Sequence, residues 1–408
     1  MLTLFSFLVF LVLFFFELIK NGFKLSLKPS LLFLLCWQFL FLFLPVVKFV
    51  DVYSHFVLDY SLVLFVCSVS LSFAIGASIA DLIHNGRVGS VRYSFISFPA
   101  IYLIAFLSLL SLVGVIKNLS NVYLAGGLSL YSQEGARSAE LTFGSNTLIN
   151  YLYFLHGIIL PLCLLKYNVS RKKIYAVLSC ISFVSLFFHG TKSTIFYPVL
   201  VTSLSFVLSS SNIKAKYYFF VVVLLFLSFQ FVTIMRNLPF IDFNELSLFQ
   251  LVFFKAEHIF AYLFNGFVNL QQEIIHHRNF TFGAESFQIF GEILKFIGGE
   301  KYGVIHADLE TPFNLYNISY NTGSFAREYY RDFGYIGTFL LVLFIGFIMQ
   351  TFYYRLNYEK VTHIIIYSII SVMLIMAPFS NQFLRVQFWF WIFVLFLLST
   401  SSNVRYRL

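Results

Sequence analysis

Long apolar runs recur along the whole chain, and they limit its possible folds more than any other feature of the sequence. A run of roughly 18–20 apolar residues is long enough to cross the hydrocarbon core of a bilayer as a helix. Hydrophobic residues make up 59% of the chain and charged residues only 11%, whereas about a quarter of the residues in a soluble protein are charged. Because lipid offers the backbone no hydrogen-bond partners, such runs must form helices. The sequence therefore predicts an all-α polytopic membrane protein.

Short polar segments separate the runs, except for one long segment, 236–333, that is the least hydrophobic part of the chain. This arrangement predicts about eleven transmembrane helices and a large, partly helical loop on the outer side. A shorter outer segment covers residues 117–145. Because no domain boundary is evident, residues 1–408 are predicted to form a single membrane domain that contains the loop. The predicted spans are 2–19, 30–49, 60–80, 95–116, 146–165, 174–189, 195–210, 217–235, 334–354, 362–379 and 384–400.

Lysine and arginine residues lie in small clusters between the runs. If the N-terminus is outside, the inner segments hold fifteen of these residues and the short outer segments only five. Positive residues are enriched on the cytoplasmic side of membrane proteins, so the count predicts an outer N-terminus and loop and an inner C-terminus. The formal net charge of +9 is therefore a topology signal spread along the chain. Since no single basic patch forms, we expect membrane lipid, and no nucleic acid, as a partner.

One further apolar segment, residues 245–271, could be taken for a twelfth span. Lys255, Glu257 and His258 lie near its middle, where charge in lipid is expensive. Its phenylalanine and other apolar residues recur at helical spacing, so we predict an amphipathic helix on the outer membrane surface. A twelfth span here would also reverse the orientation of all the basic residues that follow.

Two basic residues at the outer ends of predicted spans are the first candidates for anion binding. Lys192 lies in the turn HGTKST (189–194), where glycine, threonine and serine could donate hydrogen bonds to a phosphate beside the lysine charge. Arg236 follows the eighth span and suits a lipid phosphate headgroup. The alternative for Lys192 is a tight helical hairpin with a lysine that reaches towards the headgroups. For Arg236 it is an ordinary charged end of a span.

The segment 306–337, which leads into the ninth span, is rich in asparagine, tyrosine, threonine and acidic residues. Asparagine amides match pairs of sugar hydroxyls, and aromatic rings cover the apolar faces of sugars; Asn314, Asn317 and Asn321 are the amides. Arg327 and Arg331 would lie one helical turn apart, where like charges repel. An anion between them would relieve the repulsion. The alternative is a ladder of ion pairs with the neighbouring acids Glu328 and Asp332.

The long loop also holds the residues that could remove a proton from a sugar hydroxyl. The sequence spacing of these residues does not identify which of them is the base. For each of them the alternative is an ordinary solvated loop residue without a catalytic role. No nucleotide-binding loop, dinucleotide fingerprint, zinc-protease motif or serine nucleophile elbow occurs, and the four cysteines fall within apolar runs. We therefore expect no metal, nucleotide or other cofactor. The candidate bases are His258, His276, His277, His306, Asp308, Glu310 and Glu328.

Four features of the chain resemble the O-antigen polymerase (Wzy) family of oligosaccharide repeat-unit polymerases. The segment KPSLLFLLCWQFLF (28–41) is similar to the family's proline-bearing second helix, and HGTKST (189–194) to its Gly-Ser-Arg turn. One long outer loop lies in the C-terminal half. The most specific match is NTGSFAREYYRDFGYIGTFLLVLFIGFI (321–348), with aromatic residues, Asp-Phe-Gly, a second glycine and a membrane helix. Lys192 departs from the family, which often has arginine there, and lysine cannot grip phosphate with two parallel hydrogen bonds.

The resemblance implies an enzyme of the bacterial inner membrane with a periplasmic N-terminus and loop and a cytoplasmic C-terminus. Such enzymes transfer the growing glycan from undecaprenyl pyrophosphate to a new lipid-linked repeat unit, and a chain-length regulator protein is an expected partner. The alternatives are an O-antigen ligase, a polysaccharide flippase or transporter, and a membrane O-acyltransferase. The expected substrate-binding residues are Lys192, Arg236, Arg278, Asn321, Arg327 and Arg331, and the expected catalytic residues are Glu328, His306 and Asp308.

Overall fold

Helices dominate the computed structural model of the chain. Three single positions, 227, 230 and 234, are also described. The other described residues are 2–20, 28–47, 57–84, 95–124, 152–187, 192–209, 257–276, 280–287, 314–315, 318–319, 324–356, 359–401 and 404–407.

The helices within these ranges follow the apolar runs closely. The predicted span 217–235 lies outside the described residues apart from the three single positions. The helices are α1 (Leu2–Lys20), α2 (Pro29–Val47), α3 (Tyr60–Ile83), α4 (Ile101–Leu124), α5 (His156–Ser170), α6 (Lys173–Phe187), α7 (Lys192–Ser209), α8 (Glu257–His276), α9 (Phe325–Arg355), α10 (Val361–Ile375) and α11 (Val386–Thr400).

Three of the described helical segments are long and apolar enough to cross a membrane. They are Tyr60–Ile83, Leu152–Ser170 and Phe325–Arg355. The remaining apolar helices are shorter, with 10–17 residues in their apolar parts. A mostly helical fold with three candidate membrane-spanning helices among the described residues is therefore confirmed, whereas the number of about eleven spans stays a prediction.

Two short antiparallel strand pairs accompany the helices. Strand β1 (Phe95–Phe98) pairs with β4 (Val404–Arg407), and β2 (Asn314–Leu315) pairs with β3 (Ile318–Ser319). Strand β1 occupies the start of the predicted fourth span, 95–116. The physical reason is Pro99, because a residue before proline avoids the helical region of the backbone. The helix α4 consequently begins only at Ile101.

The chain forms two compact units. Unit 1 comprises residues 1–89, 257–355 and 370–386, and unit 2 comprises residues 90–256, 356–369 and 387–408. In unit 2, α5, α6 and α7 pack around a small apolar core, and the buried Lys166 amine donates to the Pro99 carbonyl at 2.8 Å. The core residues are Leu160, Leu186, Ile195 and Val199.

Unit 1 is organised around the pair of helices α3 and α9. A Cβ atom on Gly76 would lie 1.9 Å from the Leu343 carbonyl oxygen, and one on Gly346 would lie 2.5 Å from the Phe73 carbonyl oxygen. The two backbones therefore approach each other closely through small residues, as packed membrane helices do. Phe33 of α2 stacks on Phe73 with ring centroids 4.1 Å apart, which joins α2 to this pair.

Helix α8 covers part of the segment predicted to lie on the membrane surface; residues 245–256 lie outside the described part. Its apolar residues, including Phe264, Phe267 and Leu270, are buried, and the helix contacts α2, α3 and α9. The Phe267 ring lies 5.2 Å from that of Trp37. The predicted amphipathic character is thus present, but protein rather than lipid covers the apolar face. Aromatic side chains of α2 provide that cover, and spacing within 245–271 could not indicate them.

Candidate functional site

Helix α9 is interrupted at Gly334, which has φ 63° and ψ −158°. That backbone conformation is nearly restricted to glycine. A Cβ atom there would also lie 2.9 Å from ring carbons of Phe280. The interruption separates a short N-terminal segment, 325–333, from the apolar remainder of the helix. All of the acidic residues of α9, and its two arginines other than Arg355, lie in the short segment.

Arg327 and Arg331 lie on consecutive turns of this segment and share one carboxylate. Glu273 of α8 places Oε2 at 3.1 Å from Arg327 Nε and Oε1 at 3.2 Å from Arg331 Nε. Glu285 adds a second contact at 3.4 Å to Arg331 Nε. We call these four residues the arginine cluster. A carboxylate between two guanidinium groups removes the repulsion that their spacing would otherwise cause.

Asp332 accepts hydrogen bonds from a neighbouring turn instead of forming the ion pair that the sequence suggested. Its buried carboxylate accepts hydrogen bonds from the Thr281 hydroxyl and from the backbone amides of Glu285 and Ser286. The Thr281 amide in turn donates to the Arg331 carbonyl at 3.1 Å. These hydrogen bonds hold the turn 280–287 against α9 and place Glu285 next to Arg331.

The electrostatic environment of Glu285 is mixed. Burial raises the pKa of its carboxyl to about 7, while the nearby Arg331 guanidinium acts in the opposite direction. Glu328 and Asp332 raise this pKa further, and Arg327 lowers it. Carboxylates thus outnumber guanidinium groups around Glu285. An added anion can therefore bind the arginines only if it displaces a carboxylate or if a neighbouring carboxyl group is protonated.

Glu328 lies one turn from Ser324 and is half-buried. Asn381, in the turn after α10, is a side-chain hydrogen-bond partner of Glu328 and of Tyr329. The buried Ser324 Oγ makes no hydrogen bond with any residue that the structure describes.

A second buried group of charges lies near the other end of α9. Lys20 pairs with Glu17 at 3.3 Å and also with Asp81. The Ser30 hydroxyl donates to Glu17 Oε2 at 2.8 Å. Gln350 donates to Asp81 Oδ1 at 2.7 Å, and the Tyr354 hydroxyl donates to the same oxygen. We call Glu17, Lys20 and Asp81 the lysine cluster.

The structure brings together only part of the predicted site. Arg327, Arg331 and Glu328 lie on one short helical segment. The ion-pair alternative is found with different acids, because Glu273 and Glu285 are the partners instead of Glu328 and Asp332. Lys192 begins α7, so the helix starts three residues before the predicted span at 195 and includes the last half of the predicted turn 189–194; the Lys192 side chain is outside the described part. Arg236, Arg278, His306, Asp308 and Asn321 also lie outside the described residues.

Glu273 and Glu285 were missed by sequence reasoning. A weak signal existed for Glu273, because Asn265, Asn269 and Glu273 recur every four residues on the otherwise apolar α8. Such a polar stripe at helical spacing indicates a face that meets polar groups of another element. No comparable signal marks Glu285.

Comparison of the chain with protein-family models, with curated proteins and with solved structures finds no match in any of the three.

Proposed function

We propose that the chain is a membrane glycosyltransferase of the O-antigen polymerase type, which joins oligosaccharide repeat units carried on undecaprenyl pyrophosphate. The observation that carries this proposal is the position of Arg327 and Arg331. They are a mostly buried pair of cations one turn apart, directly before an apolar helix of membrane-spanning length. The same residues belong to the segment 321–348 that resembles the family most specifically.

The proposed membrane placement puts this pair at the outer face of a bacterial inner membrane. Helix α9 has 31 residues, which corresponds to about 46 Å and exceeds the roughly 30 Å hydrocarbon core. The charged segment 325–333 therefore lies in the interface, and the apolar part after Gly334 crosses the bilayer. The positive-inside count supports about eleven spans, with a periplasmic N-terminus and loop and a cytoplasmic C-terminus.

In the proposed reaction the two arginines bind the donor's pyrophosphate. The leaving group gains negative charge as its bond to the sugar breaks, and positioned cations stabilise that charge. Since Glu273 already lies between the arginines, the donor must displace its carboxylate. Lys192, Arg236, Arg278 and Asn321 are proposed as further contacts to the lipid-linked glycan.

The bond changes balance without a cofactor. A hydroxyl oxygen of the new repeat unit forms a bond to the anomeric carbon of the growing chain, and the bond from that carbon to the pyrophosphate oxygen breaks. A base takes the hydroxyl proton, and undecaprenyl pyrophosphate leaves with the bonding electron pair. We assign Glu328 as the base, because its carboxylate lies beside the arginines; His306 and Asp308 are the other candidates.

The experiment that tests this function is deletion of the gene in its own strain, followed by electrophoresis of lipopolysaccharide. Loss of a polymerase leaves chains capped with a single repeat unit, and the wild-type gene restores the ladder. A deletion strain in which no chain is capped would identify a ligase instead. An unchanged ladder would refute both functions.

A further inference from the structure

The turn 280–287 beside the arginine cluster exposes three phenylalanine rings. Phe282 is 83% exposed, Phe287 54% and Phe280 46%. Leaving an apolar ring in water is unfavourable in proportion to its exposed area. Several exposed apolar groups in one place commonly mark a surface that meets another protein or a membrane. The contacts between this turn and α9 indicate which of the two it is.

Phe282 has a backbone conformation that is unusual for a bulky residue. Its φ is 48°, in the left-handed region that residues other than glycine rarely adopt. Hydrogen bonds to α9 hold it there, because the Phe282 amide donates to the Asp332 carbonyl at 3.2 Å and the Thr281 amide donates to the Arg331 carbonyl at 3.1 Å. Such a conformation persists only where the surrounding structure fixes it, and it is frequent at functional sites. The exposed ring is therefore a built feature of the turn.

One side of α9 is apolar and exposed just beyond the turn. Ile336, Leu340 and Phe344 are exposed and recur every four residues, so they share one side of the helix. With 3.6 residues per turn, Gly337 lies on the same side. Phe333 covers this glycine, because its Cβ atom would lie 2.1 Å from a Cβ atom on Gly337. The exposed side of α9 therefore extends to Phe333.

Two phenylalanines of the turn pack against α9 at this point. The Phe287 ring lies 6.4 Å from the Phe333 ring in an edge-to-face arrangement. Ring carbons of Phe280 lie 2.9 Å from the position of a Cβ atom on Gly334. Phe282 lies between these two phenylalanines in the sequence. The apolar surface of the turn is thus continuous with that of α9, a helix long and apolar enough to cross a membrane.

We propose that the turn 280–287 is a membrane anchor, with the Phe282 ring inserted among the acyl chains of outer-leaflet phospholipids. This inference goes beyond the proposed reaction and rests on the proposed membrane placement of α9. Phospholipid fits better than a protein partner, because the exposed rings continue the apolar side of a helix of membrane-spanning length. Glu285, the one acidic residue of the turn, is buried against Arg331, so insertion brings no charge into lipid. The anchor keeps the arginine cluster at the depth of the headgroups.

The test uses the full-length protein in phosphatidylcholine vesicles, with Phe282→Trp as a reporter. An aromatic substitution at so exposed a position should leave the fold unchanged. The emission of the three native tryptophans is subtracted as the wild-type signal. Bromine quenches an indole only at close range, so the added emission should be mostly lost when the vesicle lipids carry bromine in the middle of their acyl chains. Iodide in the surrounding water should have little effect.

Ile336→Trp is the matched control, since this position is 79% exposed on the apolar side of α9, and brominated lipid should quench it strongly. Quenching of Ile336→Trp without quenching of Phe282→Trp would overturn the anchor and leave the membrane placement of α9 intact. A lack of quenching in both variants would overturn both. Quenching of Phe282→Trp that undecaprenyl phosphate reverses would assign the ring to the polyprenyl tail of the carrier and overturn the phospholipid anchor. Failure of the polymerase function is separate, because it appears in the lipopolysaccharide ladder.

Discussion

The lysine and arginine clusters of unit 1 are both buried ionic groups, yet they differ in how their polar atoms are satisfied. In the lysine cluster both carboxylates pair with Lys20, and Glu17 and Asp81 also accept hydrogen bonds from neighbouring helices. In the arginine cluster two carboxylates meet two guanidinium groups, and the nearby Ser324 Oγ makes no hydrogen bond with a residue that the structure describes.

This difference suggests two kinds of role. A buried ion pair whose members are fully hydrogen-bonded contributes to a unique helix arrangement and loses much stability when one partner is removed. A group that leaves buried polar atoms unsatisfied is costly unless something else occupies it. The lysine cluster therefore fits a packing role, and the arginine cluster fits the proposed binding role. Variants in the lysine cluster should therefore lower protein stability and abundance, whereas variants in the arginine cluster should lower activity.

The largest expected effect is loss of activity in Arg331→Ala. Removal of one charge-assisted contact to a developing anion typically lowers the rate about 10²–10³-fold, so the lipopolysaccharide ladder should collapse to a single repeat. Protein level, measured by immunoblot, should stay above half of the wild type. Arg331→Lys should restore part of the activity, because lysine keeps the charge but loses bidentate geometry.

Arg355→Ala is the control for this variant, since Arg355 is an exposed arginine at the other end of α9. It should polymerise normally. If Arg331→Ala loses protein and activity in parallel, and Glu273→Ala behaves identically, then the arginine cluster is only structural.

The second effect, on stability, is expected from Glu17→Ala in the lysine cluster. Glu17 is fully buried, and its removal leaves Lys20 with Asp81 alone and the Ser30 hydroxyl without its acceptor. We expect a loss of about 2–3 kcal/mol, seen as a lower midpoint of thermal unfolding in detergent. Glu17→Gln, which retains an acceptor for Ser30, should lose less. Activity per folded molecule should be unchanged; a selective loss of activity would contradict the packing role.

A smaller effect is expected from Gly334→Ala, at the junction between the charged and apolar parts of α9. The backbone conformation of Gly334 costs other residues about 1–3 kcal/mol, and the Phe280 ring leaves little space. The unfolding midpoint should fall accordingly. Ile336→Ala, at a position 79% exposed, should stay near the wild type. Equal midpoints for the two variants would show that the interruption at Gly334 does not constrain the protein.

The smallest effect concerns pH and Glu285. Burial raises the pKa of this carboxyl from 4.5 to about 7, so the folded state binds its proton more tightly than the unfolded state. The associated stability is present below pH 4.5 and is lost as the pH rises through 7. Four charged groups face Glu285: Arg331 and Arg327 oppose the shift, while Glu328 and Asp332 support it. In Glu285→Gln the unfolding midpoint should fall less between pH 5 and pH 8. Parallel pH profiles of the two proteins would show that Glu285 does not titrate in this range.

The helices were predictable because long apolar runs have few structural solutions in lipid. Local sequence also placed Arg327 and Arg331 on consecutive turns. The acids that pair with them were not predictable, since Glu273 lies 54 residues before Arg327 and helical spacing carries no information across such a distance. Strand β1 was missed for a different reason. The apolar run 95–116 was interpreted as one continuous helix, although Pro99 disfavours a helical conformation in the residue before it.

The most direct measurement of the central claim uses the purified chain in phospholipid vesicles with the strain's lipid-linked repeat unit. Products are separated by length, and free undecaprenyl pyrophosphate is quantified in the same samples. The account predicts glycans of two and more repeats on the carrier, with one undecaprenyl pyrophosphate released for each bond formed, and about a 10²–10³-fold slower reaction for Arg331→Ala. A wild-type protein that leaves every repeat unit single, while the deletion strain still makes its full ladder, would contradict it.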